Sequence, residues 1–543
     1  MMKQHLLRTL LGVALLTLLV VAGCSGDDDQ ASTENDDSQD DAKSSENEDN
    51  TLVFARGADS QQLDPSKVTD GESLYVTQQI YDTLVTYKED GTEVQPGLAT
   101  DWQVSDDGKK YTFQLREDVK FHDGTDFTAE DVVYNFDRWV ETDDSIYFGY
   151  MFGGSEEDPN GFLKSVEATG DYEVTFTLDK PNAPFIYTLA MPPFGIASPD
   201  AVDEHGENYF KNPVGTGPFK FNSWSKGDKI TLDKNEDYFG DVAHVDQVVF
   251  RVIPDNGARY LELQSGSIDM MKGMNPQDIS GAEDNEDLQV FRRPSMNVGY
   301  MAMNTDQDGP MADPKVRKAI NLGVNKEELL TLFEGLGKPA KNPMPPSLWG
   351  YNEDVEPYGY DPEEAKKLLA EAGYGDGLDV TLYAMSNPRP YLPQPKLTAQ
   401  AIQQMLKEVN VNVEIVENEW ETHQTKTQNG EHDMAFLGWT GDNGDPDNFL
   451  YVLLDKDNAK EGSAGNIAFY KNDEIHDLLT EAQVEQDQEK RSELYKKAQE
   501  IIHDDAPWLP IAHTTPPIAA KNNIDGYVPH PTGTEKFNHI KLK

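Results

Sequence analysis

The sequence predicts an α/β protein folded as two lobes. Three observations predict it: strand-like and helix-like segments alternate from Thr51 to the C-terminus, the chain is 543 residues long, and its N-terminal leader marks it for export. A mature chain of about 520 residues exceeds what one hydrophobic core supports, so it divides into two or more domains. Alternation of this kind in a long exported chain favours α/β lobes over a sandwich or a helical bundle.

The elements support this in turn. Order begins at Thr51-Leu-Val-Phe-Ala55, a short apolar strand pattern. Lys110–Arg116 alternates polar and apolar residues at period two, as a half-buried strand does, and Tyr172–Leu178 repeats the pattern. Ser105-Asp-Asp-Gly108 reads as the turn leading into the first of these. Asp361-Pro362 through Gly373 predicts a helix, with an Asp N-cap, Pro at the first helical position and a terminal Gly. Leu397, Ala401, Met405 and Leu406 recur near helical spacing within Lys396–Val409, and the strand Val411–Ile415 follows. No internal repeat is apparent.

The leader begins Met1-Met2-Lys3, runs through the apolar stretch Leu10–Val21 and ends at Val21-Ala22-Gly23-Cys24. A charged start, a short apolar core and small residues before a cut are the marks of a secretory signal. The apolar core is shorter than the ~20 residues a spanning helix needs. The ending resembles the bacterial lipobox, in which cleavage precedes a cysteine that carries lipid. Residues 1–23 are then a lipoprotein signal peptide, with Cys24 the membrane anchor. Cys24 is the only cysteine, so no intrachain disulfide forms. Residues 24–50 lack large apolar anchors and read as a disordered acidic tether.

Charge narrows the partners. The formal net charge is −52, from 98 acidic and 46 basic residues. Ser25–Asn50 carries −10 of it and the leader adds +2, leaving about −44 on the folded part. Nucleic acid and anionic membrane surfaces are repelled by such a body. The same charge repels itself unless salt screens it, which predicts a salt-adapted source.

Enzyme signatures are sparse. There is no Gly-x-Ser-x-Gly elbow, no His-Glu-x-x-His and no glycine-rich phosphate loop. The acidic pairs Glu156-Glu157 and Glu363-Glu364, on which a surface hydrolase would draw, are expected by chance in this composition. The eleven histidines show no metal-ligand spacing. Asp442, Asp445 and Asp447 suggest a calcium loop, but Pro446 interrupts them and no glutamate stands at the twelfth position of an EF-hand. No metal and no cofactor are expected.

Two places combine charge with a preorganised backbone. Asn387–Pro395 holds four prolines and presents Arg389 and Tyr391. A guanidinium donates two parallel hydrogen bonds to a carboxylate, so a stiff loop offering Arg389 suits that group. The other place is Trp439-Thr440-Gly441-Asp442.

Several stretches carry a family resemblance. They are Gly97–Trp102, Ser105–Gly108, Leu115–Gly124, Asn212–Phe219, Leu263–Asp269, Asp313–Ile320, Pro345–Tyr351 and, most specific, Gly438–Phe449. They resemble the family 5 solute-binding proteins of bacterial ABC importers, nearest to the dipeptide binders, from about Thr51 to the C-terminus. Most of these stretches read as scaffold; Gly215 and Gly217 permit a tight turn that a side chain would block.

The resemblance implies a two-lobed periplasmic-binding-protein-like fold with an enlarged first lobe. Residues 51–294 plus 515–543 form lobe I and residues 295–514 lobe II, with crossings near Pro294-Ser295 and His513-Thr514-Thr515. Ligand is enclosed between the lobes. It further implies that Arg389 receives a peptide's carboxylate and Asp442 its α-amino group. Thr69-Asp70-Gly71 would offer backbone groups, as strand-like pairing does. Trp420 and Trp439 would line side-chain pockets. The implied partners are a short peptide, a permease with its ATPase, and the membrane through Cys24; the protein is expected to be a monomer outside the cytoplasmic membrane. Oligopeptide, haem, glutathione and nickel-chelate ligands, and a peptide-sensing role, remain open.

Overall fold

The computed structural model describes residues 50–141, 145–153, 161–306 and 308–543. The signal peptide, Cys24 and the tether up to residue 49 lie outside the described residues. Asn50, assigned to the tether from sequence, already belongs to the folded body. Its carbonyl accepts from Asp246 N–H at 2.8 Å and its amide donates to the His244 carbonyl at 2.7 Å.

Two sheets organise the body. The first has seven strands in the order 288–292, 517–521, 270–272, 51–56, 247–252, 229–234 and 219–225. Thr51–Arg56 lies at its centre and is parallel to both neighbours. Its apolar side chains Leu52, Phe54 and Ala55 are wholly buried, as its sequence pattern predicts. The second sheet has six strands in the order 337–339, 508–514, 297–303, 434–440, 378–385 and 411–418. Leu378–Met385 runs parallel to both Met434–Thr440 and Val411–Asn418, so these three strands end at the same edge.

The protein is therefore two-lobed. The chain leaves the first sheet after Arg292, joins the second at Asn297, and returns between Thr514 and Pro517. Asn297 ties the two crossings together. Its amide donates to the Thr514 carbonyl at 3.1 Å, and its Oδ1 accepts from Thr514 N–H at 2.9 Å.

The first lobe is enlarged by an antiparallel four-stranded sheet, in the order 99–104, 110–115, 173–178 and 163–170. Its core is aromatic: Phe113, Phe136, Trp139, Phe176 and Phe185 are buried together. Gly108, with φ +66°, makes the turn into this sheet's second strand, donating its N–H to the Ser105 carbonyl at 2.8 Å.

Local sequence explains other elements. The Asp361 carboxylate accepts from Glu364 N–H at 3.0 Å and starts the helix Pro362–Glu371; Gly373, at φ +91°, follows its end. Gly215 and Gly217 act differently from the sequence expectation. Neither has a positive φ; a Cβ at either would collide with the backbone ending the helix Gly71–Ile80. Close approach, not turn conformation, is what needs glycine there.

Candidate ligand-binding site

The parallel strands Leu378–Met385 and Met434–Thr440 deliver both singled-out loops to one edge of the second sheet. In open α/β sheets, ligands bind outside the carboxyl ends of the strands, which is where these loops lie.

The proline loop is anchored on three strands. Arg389 and Leu392 exchange backbone hydrogen bonds of 3.1 and 3.0 Å, closing a tight turn. The Pro390 carbonyl accepts from Thr514 Oγ at 2.8 Å. The Tyr391 ring lies so close over Gly438 that a Cβ there would collide with it, and the Tyr391 carbonyl crowds Gly299 in the same way. Tyr391 is consequently buried, and packing pushes its phenol up to about 12. Its ring fastens the loop rather than standing free beside Arg389.

Arg389 itself is half-buried. Its guanidinium carbon lies 3.6 Å from the centre of the Trp420 ring, a cation–π contact. Its Nε is buried without a hydrogen-bond partner, and among the described residues no carboxylate pairs with it. In a chain with 98 acidic and 46 basic residues, a cation without an acid is conspicuous. Trp420, expected to line a pocket, serves as the platform on which this guanidinium stacks.

Asp442 is the complementary case. Asn448, in the first turn of the helix Asp447–Leu454, organises its surroundings. Asn448 Oδ1 accepts from Asp442 N–H and from Trp439 Nε1, both at 2.9 Å, and its amide donates to Asp442 Oδ2 at 3.2 Å. No cation pairs with the carboxylate among the described residues. Burial pushes it up to about 6, with the Asn448 amide opposing.

The neighbouring aspartates do not join Asp442 in a metal loop. Buried Asp445 takes Arg491 in a two-pronged ion pair of 2.8 and 2.9 Å. Asp447 accepts from Gln483 Nε2 at 3.0 Å, and burial beside Asp445 pushes it up to about 7.

This loop also meets the first lobe. Gly444 N–H donates to the Tyr87 hydroxyl at 3.1 Å, and Tyr87 in turn donates to the Tyr187 carbonyl at 2.7 Å. A side chain at Gly444 would collide with Thr92 and Tyr87, so glycine is required by the close approach. Tyr147 and Tyr150, on the first-lobe helix Ile146–Phe152, feel the Asp442 charge. Burial and then that carboxylate push the half-buried Tyr147 up to about 12. Asp442 thus projects from the second lobe toward the first.

Residues 93–461 match the model of the bacterial extracellular solute-binding proteins, family 5. The chain belongs to this family. It is 38% identical over 511 residues to the dipeptide-binding protein of Escherichia coli strain K12, covering 91% of this chain and 95% of that protein. Its structure is similar to a periplasmic binding protein DppA from Helicobacter pylori in complex with the peptide STSA. That match has TM-score 0.72 and 39% identity, and covers 91% of this chain and 98% of the other. It is also similar to HbpA2 from Haemophilus parasuis, with TM-score 0.86, 32% identity, and coverage of 91% and 100%.

The remaining residues singled out from sequence are distributed unevenly in this family 5 protein. Thr440 is exposed at the end of its strand, and Trp439 is half-buried on Asn448. Gly441 donates to the Met296 carbonyl at 2.8 Å, and a Cβ there would press on Phe449. Thr69 and Gly71 are exposed in the first lobe, with open space around Gly71. The Asp70 carboxylate is spent on capping the helix Gly71–Ile80, accepting from Ser73 N–H at 2.9 Å and Ser73 Oγ at 2.6 Å. Any part this segment plays falls to its backbone. Nothing local in the sequence separates Asn448, Tyr147 and Tyr150 from ordinary helix residues.

Proposed function

We propose that this chain is the receptor of an ABC importer, anchored through lipid at Cys24, and that it captures dipeptides by their charged termini. One observation carries the reading. Arg389 and Asp442, at one edge of one sheet, are a rigidly mounted cation and anion that lack ionic partners among the described residues. Arg389 takes the α-carboxylate, whose two oxygens match the guanidinium fork. Asp442 takes the α-ammonium. A dipeptide's termini are roughly 5–7 Å apart when extended, since a chain spans at most about 3.3–3.6 Å per residue. The dipeptide-binding relative from Escherichia coli supports the ligand class.

In this reading, residues 51–294 plus 515–543 and residues 295–514 move as lobes I and II about the two crossings. A ligand touching both favours the closed arrangement. Backbone groups of Thr69–Gly71 meet the peptide main chain, and hydrated side-chain pockets give breadth. The receptor works as a monomer, without catalysis, at the outer face of the membrane, where tethering raises its effective concentration near the permease. No helix among the described residues is long and apolar enough to cross a membrane. Mass spectrometry of molecules that co-purify with the protein tests the ligand. A mixture of dipeptides is expected; longer peptides, haem or a metal chelate would contradict the assignment.

A further inference from the structure

A cavity of about 510 Å³ lies wholly within the first lobe, and none of its lining residues belongs to the Arg389 or Asp442 loops. The end of the helix Gly71–Ile80, the ribbon of strands Val85–Tyr87 and Val94–Pro96, Tyr238–Asp241 and the C-terminal segment enclose it. Tyr81, Tyr87, Tyr238 and Phe239 give it aromatic walls. Its volume falls within the range of small-molecule sites, about 300–1,000 Å³.

The charges lining it are mostly committed. Lys536 pairs with Asp82, whose carboxylate also accepts from Thr216 Oγ at 2.9 Å and Tyr238 Oη at 3.1 Å. Glu535 pairs with Arg293. His530 Nε2 lies 2.8 Å from the Gly91 carbonyl, and its Nδ1 lies 2.7 Å from Thr532 Oγ. Half-buried His539 has one side-chain hydrogen bond among the described residues, to the Asn538 amide at 3.4 Å. Glu89 and Asp241 are exposed.

Arg116 is the exception. Its Nε donates to the Gly97 carbonyl at 2.8 Å, and its guanidinium carbon lies 4.9 Å from the centre of the Phe239 ring. Those contacts fix the side chain but leave both terminal nitrogens, and no carboxylate pairs with it among the described residues.

We propose that this cavity is a second binding site, for a small organic monocarboxylate with a planar apolar body. The fork of Arg116 grips the carboxylate through two parallel hydrogen bonds. Phe239 and Tyr238 pack on the body, where aromatic faces favour flat apolar groups. The exposed acids Glu89 and Asp241 repel polyanions, which selects against phosphates and dicarboxylates.

Benzoate titrated into the full chain, followed by saturation-transfer NMR, tests the proposal on Arg389→Ala, which removes the guanidinium assigned to the peptide carboxylate, with and without Arg116→Gln. Arg116→Gln is expected to weaken benzoate at least about tenfold on that background, as loss of a charged hydrogen-bond pair does. Equal binding with Arg116→Gln, or no transfer from Arg389→Ala at millimolar benzoate, would each overturn it. Should Arg116→Gln not fold, phenylglyoxal labelling of wild type replaces it, read by peptide mass spectrometry. Benzoate protects Arg116 if the proposal holds, and leaves it labelled if it does not.

Discussion

Asp442 and Asp445 stand three residues apart on one loop, in opposite electrostatic surroundings. Asp445 is buried and gripped by both prongs of Arg491, with the Tyr495 hydroxyl 3.3 Å away. Among the described residues Asp442 has one amide and no cation, and burial lifts its pKa to about 6. A buried charge with a complete set of partners holds structure together. A half-buried charge without them lowers stability until something else supplies the partner. The same contrast separates Arg491 from Arg389, which rests on Trp420 without a carboxylate among the described residues. The loop is thus a structural anchor at one end and, in the proposed function, a ligand contact at the other.

The comparison can be broken most forcefully at the anchor. Arg491→Ala leaves Asp445 buried without its cation and is expected to cost about 3–5 kcal/mol of stability, read by denaturant unfolding. Asp442→Asn should leave stability unchanged or raise it. A large loss there would give Asp442 a structural role and dissolve the contrast.

Next in size is binding. Arg389→Ala and Asp442→Ala should each weaken a dipeptide at least about a hundredfold, because each leaves one ligand charge buried and unpaired. Calorimetry giving near-wild-type affinity for either variant would refute its assigned role. Gly438→Ala probes the same loop indirectly by driving a methyl group into Tyr391. Displacing that ring shifts Arg389, so affinity should fall while Asp445 and Arg491 stay paired, giving a smaller stability loss of about 1–3 kcal/mol.

A pH series sharpens the contrast further. The Asp442 carboxyl titrates above its ordinary value, so the ligand-free fold binds its proton more tightly than the unfolded chain does. Stability attributable to this group therefore rises as pH falls through about 6. Dipeptide affinity moves the other way, since the protonated form cannot pair with an ammonium. Asp442→Asn should flatten both responses relative to wild type. The smallest effect expected is from salt: screening the net charge of −52 should raise the melting temperature between low and molar salt. Equal or higher stability at low salt would remove the case for salt adaptation.

Much of this was legible in the sequence where the cause is local. The cap at Asp361, the period-two pattern of Lys110–Arg116 and the prolines around Arg389 act over a few residues, and each gives the element it implies. Asp442 and Arg389 were found through resemblance and residue chemistry. What stayed hidden depends on distant partners. Tyr391 is buried because Gly438 and Gly299, far off in sequence, leave room for it. Trp420 meets a guanidinium from another segment, and Tyr147 and Tyr150, on the other lobe, lie within range of the Asp442 charge. Asn448 gives no sign of its role until the loop before it folds back.

The central claim is that Arg389 and Asp442 hold the two ends of one small ligand. A calorimetric cycle tests it most directly, using a free dipeptide and its C-terminal amide on wild type and Arg389→Ala. Amidation should cost wild type at least about a hundredfold and cost Arg389→Ala almost nothing, because the carboxylate and the guanidinium act as a pair. An amide that binds wild type as well as the free peptide, or loses equally on both proteins, would contradict it.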